Sequence, residues 1–338
     1  MAKYYGCMLV QRIVFPALLA ACCLFRPVAL SLLYLLFLFL LPFVPVATPA
    51  SIKGRTGTYF KLLILVSTLT SLSHGVFESV LLTIGYDKLE FCGLTEKILR
   101  HVGLIRLSDL SALSVIVWIA PELVLLLASI GVYFILKMMA NGHSTPDEGG
   151  GDEGQRDEPA DEPSYTVEKY NVICVAAKVL SMATLLLASV MRPSVPSGVY
   201  FLMFLGLATW WACYGKLERG FAIISRMIML FLSIHIIAFL MYQTPWPQEF
   251  FPSDNLLPRL LGFVPLFIST CDNSNNGTSN ATYVDDIRIV NFNTDAPIDA
   301  ILNPVIILLC FYTLAISSTM ILRQKAREYH ELNFVPTE

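Results

Sequence analysis

The apolar residues of this chain fall in long, nearly unbroken blocks separated by short polar segments. Each block approaches the ~20 residues that a helix needs to cross the hydrocarbon core of a bilayer. Helices are expected because hydrocarbon offers backbone amides no other partner. The pattern predicts an all-α integral membrane protein with eight transmembrane helices, at Met8–Phe25, Val28–Thr48, Phe60–Ile84, Ala112–Leu136, Asn171–Met191, Val195–Tyr214, Phe221–Tyr242 and Leu302–Leu322.

The first block is the weakest of the eight, because Arg12 interrupts it. As a transmembrane helix it would require Arg12 to snorkel to the interface. The alternative is a secretory signal, since Lys3 and Arg12 precede an apolar run and Leu19–Cys22 matches the cleavage pattern of bacterial lipoproteins. The apolar run continues through Cys22 to Phe25 and a second block follows at once, which favours the transmembrane helix.

A repeated motif indicates an internal duplication. Two stretches about half a chain apart read Arg-Pro-x-x-x-Ser-x-x-Tyr, and each opens an apolar block. Their landmarks are Arg26, Pro27 and Tyr34 in the first copy and Arg192, Pro193 and Tyr200 in the second. We expect each motif to form the short outer turn between two helices. The arginine would lie at the headgroups, and the proline would start the next helix, where its missing amide costs least.

Further landmarks recur in the same order in both halves. They are a histidine (His74, His235), an Arg-x-x-Gly sequence with a following apolar residue (100–104, 259–263), and a proline in the last block (Pro121, Pro304). An even number of helices per copy makes the copies parallel repeats. Both Arg-x-x-Gly segments are amphipathic, which predicts a short helix that lies on the outer membrane surface or packs on its bundle.

Charge separates the two copies. The segment between the fourth and fifth blocks is rich in glycine, Asp-Glu and Asp-Glu-Pro sequences and has no apolar face. Its like charges repel, so a disordered cytosolic linker is expected. We predict a first four-helix unit at 1–140, this linker at 141–168, a second four-helix unit at 169–326 and a cytosolic tail at 327–338.

Composition supports the membrane class and sets an orientation. Hydrophobic residues make up 55% of the chain and charged residues 14%, against about 25% charged residues in soluble domains. The net charge is −3 and no basic surface suggests a nucleic-acid partner. Basic residues in the short loops favour cytosolic termini. The sequons at Asn276 and Asn280 would then lie outside, as candidate glycosylation sites.

Ionisable residues within the predicted spans are the main functional candidates, namely His74, Glu78, Glu122 and His235. His74 and Glu78 share a helix face, so they can pair. We favour a structural pair over a proton relay, because neither half shows a continuous polar path. No catalytic, metal or cofactor motif is present in the sequence, so we predict that the protein is not an enzyme.

Two of the eight cysteines have a distinct setting. Cys92 and Cys271 lie on the predicted outer side, which is an oxidising compartment, and they are candidates for a disulfide between the two units. The spacing of the chain does not fix their separation. Most of the other cysteines lie in or beside predicted spans, where a small polarisable side chain packs well.

Several segments together resemble the N-terminal start of the Piezo mechanosensitive channels. The specific part is Val199-Tyr-Phe-Leu-Met-Phe204 with Thr209-Trp-Trp-Ala-Cys213. The other segments are 15–22, 30–37, 54–57, 100–103, 120–123 and 193–195. The resemblance implies a trimer whose curved blades, built from four-helix units, flatten under membrane tension and open a central cation pore.

The resemblance thus implies a blade segment in the plasma membrane that contacts lipids. It would form a homo-oligomer or join full-length channel subunits. Nothing in the sequence matches the pore-lining helices, cap or beam of the family, so we expect a tension-sensing segment without a pore. The alternative is a short multi-pass scaffold or channel-regulatory subunit that does not conduct. A transporter or membrane enzyme is disfavoured by the parallel repeat.

Overall fold

The computed structural model describes residues 6, 8–46, 49–85, 94–107, 112–141, 164–214, 218–268, 291–293 and 296–333. Within them the fold is all-α apart from one antiparallel pair of two-residue strands, β1 (Phe267–Ile268) and β2 (Asn291–Phe292). The helices are α1 (Phe15–Phe25), α2 (Ser31–Leu40), α3 (Pro49–Lys53), α4 (Arg55–Ile84), α5 (Leu94–Val102), α6 (Ala112–Asn141), α7 (Ser164–Val190), α8 (Val195–Tyr214), α9 (Glu218–Tyr242), α10 (Pro245–Phe250), α11 (Leu256–Leu261) and α12 (Ile298–Asn333). A π-helical turn, Val10–Val14, precedes α1, and a 3₁₀ turn, Leu41–Phe43, follows α2.

Six helices in the described part of the chain are long and apolar enough to cross a membrane. They are α4, α6, α7, α8, α9 and α12, with apolar ranges Arg55–Ile84, Trp118–Met138, Val172–Val190, Val195–Cys213, Gly220–Tyr242 and Ile298–Leu322. The first two of the eight predicted spans form shorter apolar helices, Val10–Leu24 and Ser31–Phe43. The chain is therefore a multi-pass helical membrane protein.

Arg12 explains how the first helix carries a charge. That Arg12 snorkels to the interface stays a prediction, but Arg12 also finds hydrogen-bond partners within the protein. Its Nη1 donates to the carbonyls of Leu41 (3.1 Å) and Pro42 (2.6 Å), and its Nη2 donates to that of Val44 (2.7 Å). Helix α2 breaks before Pro42, which leaves carbonyl groups without helical amide partners. A cation at a helix C-terminus is also favoured by the helix dipole.

The repeated Arg-Pro motif forms a serine-centred turn in both copies. Ser31 Oγ accepts a hydrogen bond from the Val28 amide (3.3 Å) and donates to the Val28 carbonyl (2.6 Å). Ser197 makes the same pair of bonds with Ser194, both at 2.8 Å. Helix α2 begins at Ser31 and α8 at Val195. Pro27 and Pro193 therefore precede these helices, and the prediction that the motif proline starts the next helix is wrong.

The second shared signature, Arg-x-x-Gly-apolar, is a helix C-cap. Gly103 and Gly262 have φ values of 117° and 74°, which glycine adopts readily because it has no Cβ. The next amide reaches back to the helix in both cases, from Leu104 to the Leu99 carbonyl and from Phe263 to the Pro258 carbonyl, each at 2.8 Å. This six-to-one bond defines a Schellman motif. The predicted short helices are thus confirmed as α5 and α11.

Each capped segment is also bonded to an earlier part of the chain, α4 in the first copy and the residue after α9 in the second. The amide of Leu107 donates to the Glu78 carboxylate on α4. The matching amide of Leu266 donates to Gln243 Oε1 at 2.7 Å, and Gln243 Nε2 donates to the Val264 carbonyl at 3.0 Å. The two copies therefore share one mode of anchoring, with a carboxylate in the first copy and an amide in the second.

Replacing Gly103 with alanine should destabilise the protein by about 1–2 kcal/mol, because a side chain in a left-handed conformation costs about that much. A Cβ at Gly103 would also lie 2.9 Å from Val28 Cγ2. The matched control is Gly131→Ala in α6, where nothing lies within 4 Å of the added Cβ. Thermal unfolding in detergent should separate the two variants. Equal melting temperatures for Gly103→Ala and the unmodified chain would contradict the strained cap.

Close contacts group the chain into two units, residues 1–140 with 235–302, and residues 141–234 with 303–338. The first unit contains two apolar clusters, one around Val28, Ile105 and Trp118 and the other around Phe239, Tyr242, Phe263, Leu266 and Ala300. In the second unit, α7 packs on α8, and Thr184 Oγ1 lies 2.8 Å from Thr313 Oγ1 of α12. The sequential division into four-helix units stays a prediction, and most of the predicted linker lies outside the described residues.

Candidate functional site

Three ionisable side chains from distant parts of the sequence meet inside the first unit. Arg26 comes from the turn after α1, His74 from α4 and Glu122 from α6, and each is at most 5% exposed. The prediction that Arg26 lies at the headgroups is therefore wrong. A buried guanidinium is tolerated only where a carboxylate and hydrogen-bond acceptors replace its water. We call Arg26, His74 and Glu122 the buried ionic cluster.

Within the buried ionic cluster, Arg26 contacts several groups from different directions. Its Nη1 lies 2.6 Å from Glu122 Oε1, and its Nη2 donates to the Gly103 carbonyl at 2.7 Å. The guanidinium also stacks over the Trp118 ring, 4.6 Å from the centroid, which is a favourable cation–π geometry. The cluster thus ties the first turn, α6 and the capped end of α5 together.

His74 contributes the third arm of the cluster. Its Nε2 lies 2.7 Å from Arg26 Nη2 and 3.3 Å from both carboxylate oxygens of Glu122. A guanidinium nitrogen only donates and an ionised carboxylate oxygen only accepts, so Nε2 stands between a donor and an acceptor. Helix spacing suggested that His74 pairs with Glu78. In the structure, the partners of His74 are Arg26 and Glu122 instead. Glu78 accepts instead from the Leu107 amide.

The second copy has the same scaffold but a different interior. The residue after Pro304, which matches Glu122, is Val305, and it is exposed. His235, the match of His74, stacks on Phe263 with ring centroids 5.8 Å apart. Arg192, the match of Arg26, is partly buried. The matching tyrosines differ too, since Tyr34 hydrogen-bonds Thr70 and Tyr200 packs edge-on against Phe231.

The four intramembrane candidates therefore divide into three settings. His74 and Glu122 share the buried ionic cluster, Glu78 anchors a cap, and His235 packs against the ring of Phe263. Sequence reasoning missed Arg26 as their partner. The available signal was Glu122, a carboxylate in a predicted span that the second copy lacks at the matching position. Such a charge needs a cation nearby.

The remaining predicted sites cannot be placed. Asn276, Asn280, Cys92 and Cys271 all lie outside the described residues. The described free cysteines are Cys22, Cys23, Cys174, Cys213 and Cys310. Within the residues that the structure describes, no group of three or more His, Cys, Asp or Glu side chains is placed to hold a metal ion.

His101 of α5 is a buried histidine outside the membrane-spanning helices. Its ring meets Trp246 of α10 edge-on, with centroids 5.5 Å apart, and its carbonyl accepts from the Ala29 amide. Burial lowers the pKa of His101 below its ordinary value of 6.5, because removal from water disfavours the charged imidazolium. Protonation of His101 is therefore coupled to the packing of α5 against α10.

The stability of the chain should consequently fall in acid. Below pH 6.5, the ordinary value, the unfolded chain binds a proton more readily than the folded one, so the contribution of neutral His101 is present above that pH and lost as pH falls. His101→Phe keeps an aromatic ring beside Trp246 and removes the titration. Melting temperatures in detergent between pH 5 and 8 should fall less for this variant. An equal or steeper fall in the variant would contradict this assignment.

The six long apolar helices among the described residues define the class as multi-pass helical membrane proteins. The family model described as Piezo TM1-24 matches residues 26–334. The chain belongs to the Piezo family. This membership confirms the resemblance seen in the sequence and, because the family consists of ion channels, the prediction that the protein is not an enzyme.

Three curated relatives illustrate the match. The chain is 32% identical over 358 residues to the Piezo-type mechanosensitive ion channel component of Drosophila melanogaster, with 95% of this chain and 14% of that protein covered. It is 31% identical over 271 residues to Piezo-type mechanosensitive ion channel component 1 of Homo sapiens, and this match covers 73% of this chain and 11% of the human protein. The Mus musculus protein of the same name is 29% identical over 330 residues, and this match covers 88% of this chain and 12% of the mouse protein. No solved structure matches the chain.

Proposed function

We propose that this chain is an N-terminal blade segment of a Piezo-like mechanosensitive cation channel, which senses membrane tension or curvature and does not contain the pore. The observation that carries the proposal is the match of residues 26–334 to the Piezo TM1-24 family. The relatives are named as mechanosensitive ion channel components, and the chain spans 14% or less of their length.

Membrane tension does work only on a change in the area that a protein occupies in the membrane plane. A sensor therefore needs units that stay rigid and hinge on one another, because a soft unit would absorb the strain internally. The buried ionic cluster and the Schellman caps stiffen the turns and helix ends on which such rigidity depends. Exposed leucines along α4, such as Leu65, Leu69 and Leu72, supply surface for lipid.

The proposal includes a topology. Both termini lie in the cytosol of a plasma-membrane protein, and two parallel four-helix units occupy 1–140 and 169–326. The sequons at Asn276 and Asn280 then face outwards as candidate glycosylation sites, and Cys92 and Cys271 lie on the same side as candidates for a disulfide. The partners are membrane lipids and further channel subunits in a homo-oligomer. Basic residues in the short cytosolic loops support this orientation.

A comparison of full-length channels with and without residues 1–338 tests the proposal. Without this segment, stretch-evoked currents in membrane patches should require higher pressure for half-maximal activation, because less membrane area is coupled to the gate. Unitary conductance and cation selectivity should stay unchanged. A changed unitary conductance would place the segment at the pore, and an unchanged pressure requirement would remove it from tension sensing.

A further inference from the structure

A dense group of exposed apolar side chains follows α9. Between residues 246 and 260, six large apolar side chains are exposed, from 43% for Trp246 to 73% for Leu256, and the others are Phe250, Phe251, Leu257 and Leu260. We call this group the exposed ridge. It covers α10, α11 and the loop between them. Water is an unfavourable environment for so many large apolar side chains exposed in one short stretch of sequence, which points to a docking surface.

Hydrogen bonds fix the exposed ridge against the end of a membrane-spanning helix. Tyr242, the last residue of α9, donates from its hydroxyl to the Phe251 carbonyl at 3.1 Å. Gln248 Nε2 donates to the Tyr242 carbonyl at 3.1 Å and to the Phe267 carbonyl at 2.9 Å. The backbone of Phe251 therefore lies within one tyrosine side chain of the point where α9 ends. With α9 spanning the membrane, Phe250 and Phe251 would be close to the level at which this helix leaves it.

The chemistry of the exposed ridge suits that interface. Aromatic residues favour the level of the lipid headgroups, and short amphipathic segments bury an apolar face at the boundary of headgroups and acyl chains. Three exposed charged residues lie between the apolar residues in the sequence. They carry both signs of charge and are Glu249, Asp254 and Arg259. Such a mixture matches zwitterionic headgroups.

We propose that the exposed ridge docks into the headgroup and upper acyl region of the bilayer leaflet at which α9 ends. In this position the exposed ridge would couple one leaflet to the helix cap at Gly262. The role of the ridge in gating rests on the proposed function. The occupant is phospholipid rather than protein, because the ridge is anchored at the end of a spanning helix.

Photolabelling of the whole chain in lipid nanodiscs tests this contact. The probe is a phosphatidylcholine that carries a diazirine near the glycerol, and peptide mapping locates the label. Residues 246–260 should be labelled several-fold more by this lipid than by a water-soluble diazirine. The double variant Phe250→Glu and Leu256→Glu should lose most of that label. Labelling of Ile84, an exposed residue at the end of α4, should stay unchanged and serves as the internal control for folding.

Two results would overturn the inference. One is preferential labelling of the exposed ridge by the water-soluble probe. The other is absence of lipid label together with cross-linking of the ridge to a second protein chain. Neither result depends on channel current, so the lipid contact and the tension response can fail separately: intact labelling with an unchanged pressure requirement would reject only the tension-sensing function.

Discussion

Replacement of Glu122 by leucine should destabilise the protein by about 3–5 kcal/mol, which is the usual effect of leaving one buried charge without its partner. Arg26 would keep the Gly103 carbonyl and the Trp118 ring but lose the carboxylate 2.6 Å from its Nη1. A guanidinium cannot relieve this by losing its proton. We expect the turn after α1 to detach from α6, with a lower melting temperature in detergent and less monodisperse protein.

The double variant Arg26→Leu and Glu122→Leu should recover most of the loss, because replacing a buried pair by apolar side chains is often nearly neutral. A double-mutant cycle then gives the coupling energy. Arg192→Leu is the matched control from the second copy, where valine stands at the position of Glu122 and the arginine is partly buried. Its effect should be smaller than that of Glu122→Leu, because Arg192 is less buried than Arg26. A double variant as unstable as Glu122→Leu would contradict the pairing.

Replacement of Gly57 by alanine should destabilise the protein by at least about 3 kcal/mol, at the upper end of overpacking effects. A Cβ at Gly57 would lie only 1.9 Å from the carbonyl oxygen of Ile52. That atom is backbone, so no change of rotamer relieves the clash, and α3 would have to separate from α4. The nearby bond from Thr56 Oγ1 to the Pro45 carbonyl, 3.0 Å long, should be lost as well.

Gly75→Ala provides the control within the same helix. Nothing lies within 4 Å of a Cβ at Gly75, and alanine in a helix interior is more stable than glycine by roughly 0.5–1 kcal/mol. Thermal unfolding of the two variants in the same detergent should therefore shift in opposite directions. A Gly57→Ala variant with an unchanged melting temperature would show that α3 does not pack on α4 as described.

Apolar block length was sufficient to predict the six long helices, because the bilayer imposes both length and composition on a spanning helix. The first two predicted spans are not confirmed, since they form shorter apolar helices and Arg12 bonds to carbonyl groups that follow α2. Those partners lie about thirty residues along the chain, so no local pattern reveals them.

The repeated motifs correctly indicated local structures that both copies share. The shared serine and the shared glycine form the same turn and the same helix cap in both copies, because each acts within a few residues of its own position. The buried ionic cluster could not be derived in this way. Arg26, His74 and Glu122 meet only after α4 and α6 have packed, and the helical spacing of His74 and Glu78 suggested a different pair.

The most direct test of the account is stretch-evoked current from residues 1–338 expressed alone, in cells that lack mechanically activated currents of their own. Surface labelling would first establish that the chain reaches the plasma membrane. As a tension-sensing segment without a pore, it should give no stretch-evoked unitary currents at any pressure that the patch withstands. Stretch-evoked cation currents from this chain by itself would contradict the account.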